Sequence, residues 1–202
     1  MRFTIFQESR IGKRRTNQDR VAYSYTRDAL LMVLADGMGG HLYGEVAAQI
    51  SVQFIAQSFQ QEARPKVTDP VLFLSRVLSN AHHAILDYAF DKHLADIPRT
   101  TIVACLIQEG VAHWAHAGDS RLYMIRKGRL EWRAEVTSAE LGRITTGTMT
   151  VPAMAKRSAI RSVTERWFAM PIRITTSQPA QIVMVKTAHS APTKKRDDMA
   201  SP

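Results

Sequence analysis

An α+β domain is the fold class this sequence predicts, and three observations carry the prediction. Short apolar strands open the chain, two long amphipathic segments follow, and a run of closely spaced hairpin strands comes next. That order differs from the strand–helix alternation of a βαβ repeat. Phe3, Ile5 and Phe6 begin a strand, and Val21–Tyr25 forms a second. Leu30–Ala35 is continuously apolar and short, which suits a strand buried on both faces, and Asp36-Gly37 with Gly39-Gly40 breaks it sharply. From Glu45 to about Gln60, Val46, Ala47, Ile50, Phe54 and Ile55 recur at helical spacing. Thr68-Asp69-Pro70 then gives a capping side chain and a proline suited to a first turn. Beyond it Val71, Leu74, Val77, Leu78, Ala81, Ile85 and Leu86 form one apolar face. Strands at Thr101–Ile107, Val111–Ala117 and Arg121–Ile125 follow, with turns at Gln108–Gly110 and Lys127-Gly128 and a last strand starting at Arg129-Leu130.

Composition narrows the function classes. With 45% hydrophobic and 22% charged residues among 202, the chain is ordinary for a globular protein. No run reaches the roughly 18 apolar residues of a membrane span, and the start MRFTIFQESR is unlike a signal peptide. Cys105 is the one cysteine, so neither an internal disulfide nor a multi-cysteine metal site is expected, and the expected compartment is the cytoplasm. The net charge of +9 divides into +4 over residues 1–133 and +5 over residues 134–202. The excess accompanies neither stacking aromatics nor a recognition helix, so nucleic acid is not an expected partner.

Three clusters carry chemistry. Arg14-Arg15-Thr16-Asn17-Gln18-Asp19 lies between two strands, and Asp36-Gly37-Met38-Gly39-Gly40-His41 precedes Gly44-Glu45 at a helix start. The third is Ala117-Gly118-Asp119-Ser120-Arg121, between hairpin strands. An aspartate ending a buried strand beside glycines can bring a carboxylate and a bare carbonyl into one small space, as hard cations require. An arginine nearby offers a fork that matches phosphate oxygens. Taken singly each cluster also reads as a turn or a polar loop. The histidines form no metal-spaced set.

In their order and context the clusters resemble the PPM-type (protein phosphatase 2C-like) serine/threonine phosphatases, especially the compact bacterial kind. Arg14 with Asn17-Gln18-Asp19 is similar to the family's first motif, and Asp36–His41 with Gly44, Glu45 and Ala47 to its second. Arg99-Thr100-Thr101 is similar to a Thr-Thr pair opening a core strand, with arginine where the family has glycine. Ala115–Arg121 with Tyr123, Arg126, Gly128 and Leu130 is similar to a later motif.

The resemblance implies a β-sandwich of two antiparallel sheets flanked by helices, here incomplete at its C-terminal end. It further implies two Mn²⁺ or Mg²⁺ ions, bridged by Asp36 and ligated through the Gly37 carbonyl. Asp19 and Gln18 would hold metal-bound water, Gln18 standing where glutamate is usual. Arg14 would grip the substrate phosphate, and Asp119 resembles the aspartate of a weaker third metal. The implied reaction is attack of metal-activated water on phosphoserine or phosphothreonine in proteins phosphorylated by a serine/threonine kinase, by a monomeric signalling enzyme.

The motifs end at about Arg133. Residues 1–133 thus read as the N-terminal part of a phosphatase domain, and residues 134–202 as a divergent tail, frame-changed or disordered. That tail holds ten Thr, ten Ala and six Ser, and its apolar residues lack a period. Ile172–Ile174 and Ile182–Val185 read as short strands with no evident partner among the hairpins. Its acids are Glu135, Glu140, Glu165, Asp197 and Asp198, none within the Asp-Gly or Asp-Asn pairs that supply the family's later metal ligands. The alternative expectation is therefore a catalytically impaired or inactive remnant.

Overall fold

The computed structural model describes residues 3–9, 11, 16–38, 43–127, 129–134, 143–150, 169–174 and 180–185. Its elements are β1 (Thr4–Ile5), β2 (Asp19–Tyr25), β3 (Ala29–Gly37), α1 (Gly44–Glu62), α2 (Pro70–Asp91), β4 (Thr100–Gln108), β5 (Val111–Ala117), β6 (Arg121–Arg126), β7 (Arg129–Arg133), β8 (Thr145–Thr150), β9 (Ala169–Ile174) and β10 (Ala180–Val185). Two antiparallel five-stranded sheets result, in the orders β2-β3-β4-β5-β8 and β1-β9-β10-β6-β7. Both helices pack on the first of these, which becomes the central layer. No helix among the described residues is long and apolar enough to cross a membrane.

The apolar run of β3 is explained by this layering. Successive side chains on a strand face opposite ways. Leu31, Val33 and Ala35 join Ile55, Phe59, Phe73 and Leu74 beneath the helices. Leu30, Met32 and Leu34 join Leu122, Met124, Ile182 and Met184 between the sheets. A strand covered on both faces has no polar position until its penultimate residue, Asp36.

Helix α2 begins as its sequence predicts. The Asp69 side chain accepts from the Leu72 N–H at 3.0 Å, ahead of Pro70 in the first turn. Its loop is pinned to the far end of β4 by Gln108, a buried side chain that accepts from Val67 N–H (3.1 Å) and donates to Val67 C=O (2.9 Å). Lys66 and Glu109 pair beside it. Gln108→Leu leaves both Val67 groups without these bonds. The expected loss is about 2 kcal/mol, read as a melting temperature about 4–8 °C lower.

Strands from beyond residue 133 enter both sheets. β8, which has no counterpart in the sequence reading, pairs with β5 along Val111–His116. It is an edge strand rich in β-branched threonine, and lacks the apolar alternation that would announce it. Gly147 faces Trp114 there, and a Cβ on Gly147 would lie 2.3 Å from the indole Cζ2. β10 finds a partner among the hairpins after all: it lies between β9 and β6, paired from Ala180↔Arg126 to Val185↔Arg121. Ile182 and Met184 are fully buried against the central sheet.

Candidate metal centre

The three motifs meet at one end of the central sheet. Asp19 opens β2, and antiparallel register sets it directly across from Asp36 on β3. Asp36 in turn faces Thr101 on β4, and Gly37 faces Thr100. Gly118 follows the last residue of β5 and packs on Thr101, where a Cβ would meet the threonine side chain at 2.8 Å. Its φ of +95° independently calls for glycine. Ser120, one residue past Asp119, exchanges a 2.6 Å hydrogen bond with Thr101 Oγ1 in the interior. Asp119 is thus brought to the same end, in the β5–β6 turn. Arg14 and the segment Gly39–Leu42 lie outside the described residues.

Close backbone contact builds the corner around Asp36. The Gly37 N–H donates to Gln18 C=O at 3.1 Å, and the Met38 N–H donates to Arg99 C=O at 2.9 Å. Helix α1 begins against the same corner. A Cβ on Gly37 would lie 2.4 Å from the Gly44 carbonyl oxygen and 2.9 Å from that of Gln18. The chain enters α1 through Tyr43 in the left-handed region, φ 66°, without a side-chain cap. Glu45 in the first turn favours the positive end of the helix dipole. Gln18 reaches this turn, its Nε2 donating to Glu45 Oε2 at 3.4 Å.

Residues Asp19 and Asp36 present two carboxylates from facing positions, Asp36 only 9% exposed and Asp19 half-buried. Like charges in this arrangement repel, and a cation between them removes the repulsion. The donor set is carboxylate and carbonyl oxygen, which hard divalent ions take. In kind the residues fit Mg²⁺ or Mn²⁺. In number they are few: among the described residues no group of three or more His, Cys, Asp or Glu gathers as a metal site. Cys105 offers no rival chemistry, because full burial pushes its thiol far up and keeps it protonated.

Sequence reasoning passed over two contributors to this corner. Arg20 donates through Nε to Gln49 Oε1 at 2.9 Å and through its terminal nitrogen to the carbonyls of Asn17 (3.0 Å) and Asp19 (2.9 Å). Glu45 and Gln49 stand four apart on α1, and that spacing was the one available signal.

The two-sheet, two-helix fold is shared with solved bacterial serine phosphatases. Matching solved structures include Stp1 of Staphylococcus aureus, a serine/threonine phosphatase, at a TM-score of 0.61 and 16% identity, over 93% of this chain and 96% of that one. The catalytic domain of the serine/threonine protein phosphatase PstP, solved with two manganese ions, matches at a TM-score of 0.57 and 18% identity, over 90% of this chain and 94% of that one. The family model described as protein phosphatase 2C matches residues 6–172, past the point where the recognisable motifs end. The chain belongs to the protein phosphatase 2C family.

Among its relatives, the protein phosphatase PhpP of Streptococcus pneumoniae is 28% identical over 118 residues, 57% of this chain and 48% of that protein. The serine/threonine phosphatase stp of Listeria innocua is 25% identical over 123 residues, 60% of this chain and 49% of that protein. The chain spans about half the length of these relatives in sequence alignment.

Proposed function

We propose that the chain hydrolyses phosphoserine and phosphothreonine in proteins, using Mn²⁺ or Mg²⁺ held by Asp19, Asp36 and the Gly37 carbonyl. The observation that carries this reading is the cross-strand pairing of Asp19 with Asp36 at a buried sheet end. A divalent ion there supplies Lewis acidity toward the phosphoryl group and lowers the pKa of water. The chain's own residues supply the rest. Arg14 binds the substrate phosphate through its forked guanidinium. Gln18, with Nε2 given to Glu45, keeps its carbonyl oxygen to accept from water. Asp119 attracts a further, weaker cation. The substrates are the products of a serine/threonine kinase, and the protein acts as a cytoplasmic monomer in signalling.

A second reading is favoured by the small number of donors: two carboxylates compensate only half the charge of two dications, so the site is impaired. Both readings predict weak metal binding, with melting temperature rising only near about millimolar Mn²⁺. They part on catalysis. Phosphate release from a phosphothreonine peptide that rises with Mn²⁺ and vanishes in Asp36→Asn is the expected result. No release at any Mn²⁺ concentration, with the metal-induced rise in melting temperature intact, assigns the impaired form.

A further inference from the structure

The geometry points to helix α1 as a clamp on the loop that carries Asp19, with Glu45, Gln49 and Arg20 as positioning residues. Two rungs connect the helix to the strand. Glu45 Oε2 accepts from Gln18 Nε2 at 3.4 Å, and Gln49 Oε1 accepts from Arg20 Nε at 2.9 Å. The rungs match in spacing. Four helical residues rise about 6 Å and two strand residues about 6.7 Å, so Glu45 and Gln49 meet Gln18 and Arg20 without distorting either element.

Alternation along β2 gives the clamp its effect. Ala22 packs beneath the helices and Val21 between the sheets, so Arg20 shares the helix-facing side and Asp19 the side of Val21. The helix therefore holds Asp19 by its neighbours in sequence, leaving the carboxylate itself toward Asp36. Arg20 completes the grip, since its terminal nitrogen donates to the carbonyls of both Asn17 and Asp19. The Asn17 side chain accepts the Asp19 N–H at 3.0 Å, closing the loop on itself. On the other side Gly44 abuts Gly37, so one helix start bears on both halves of the carboxylate pair.

In this chain the Gln18 amide donates to Glu45 and has its oxygen end set by that bond. Charge and amide are therefore exchangeable across the rung. Gln18→Glu combined with Glu45→Gln keeps one hydrogen bond with its direction reversed.

This inference deepens the metal-site reading and rests on it for its consequence, while the clamp itself is testable without metal. Amide hydrogen exchange is measured on the full chain without metal and melting temperature across a Mn²⁺ titration, for Glu45→Ala, Gln49→Ala and the double exchange of Gln18→Glu with Glu45→Gln. In Glu45→Ala and Gln49→Ala the Asp19 and Gly37 amides should exchange about fivefold faster, with Tyr23 unchanged. The Mn²⁺ needed for half the rise in melting temperature should increase about tenfold in Glu45→Ala and stay near the parent's in the double exchange, which keeps both the rung and the net charge. Unchanged exchange at Asp19 and Gly37, or exchange raised equally along all of β2, overturns the clamp. Faster local exchange in a chain whose parent shows no response to Mn²⁺ upholds the clamp and removes the metal reading instead.

Discussion

An aspartate in place of Ile182 is expected to abolish cooperative unfolding of the native chain or to lower its melting temperature by about 10–20 °C. Ile182 is fully buried on β10, facing Met124 across the β6 pairing and packed with Leu30, Met32 and Leu34 of the central sheet. The substitution removes a large apolar side chain and sets an ionisable group where no water reaches it. A cost of about 5 kcal/mol or more is expected, comparable with the whole stability of many domains. Leu72→Asp, at a position 63% exposed on α2, is the control and should change little. The pair of variants also tests the domain division at residue 133. If residues 134–202 are a divergent appendage, both substitutions will be equally mild. If β10 is a working strand of the sandwich, only the first will be severe.

Gly37→Ala is expected to lower stability by about 3 kcal/mol, seen as a melting temperature about 6–12 °C lower. The added methyl would lie 2.4 Å from the Gly44 carbonyl oxygen and 2.5 Å from its carbon, both backbone atoms of α1. No side-chain rotation relieves such a contact. Either α1 moves away from β3, or β3 moves away from the Gln18 carbonyl that accepts its N–H. Both movements separate Asp36 from the loop of Asp19, so the response to Mn²⁺ should weaken together with stability. A fall of less than about 3 °C would mean that α1 swings aside at little cost and that the corner is not rigid.

Local signals in the sequence were enough for elements whose cause is local. Continuous apolarity marked β3 because a strand covered on both faces has no other composition, and Asp69-Pro70 marked the start of α2 because capping is a contact of three residues. The glycine- and aspartate-rich motifs marked the corner itself, since tight backbone approach leaves glycine as the residue that fits. What the sequence by itself determined is thus the α+β class, the spans of the helices and most strands, and the residue types at one sheet end. Tertiary structure alone decided which strands meet. β10 joins β6 across more than fifty intervening residues, and that pairing depends on two complementary faces with no local trace. β8 is a threonine-rich edge paired along β5, where Gly147 leaves room for the Trp114 indole opposite it. Only the folded chain sets Asp19 across from Asp36, because cross-strand register is the outcome of the whole sheet's packing and not of either segment. The helix rungs on Gln18 and Arg20 follow from the same register, and without it Glu45 and Gln49 are two polar residues on the face of a helix.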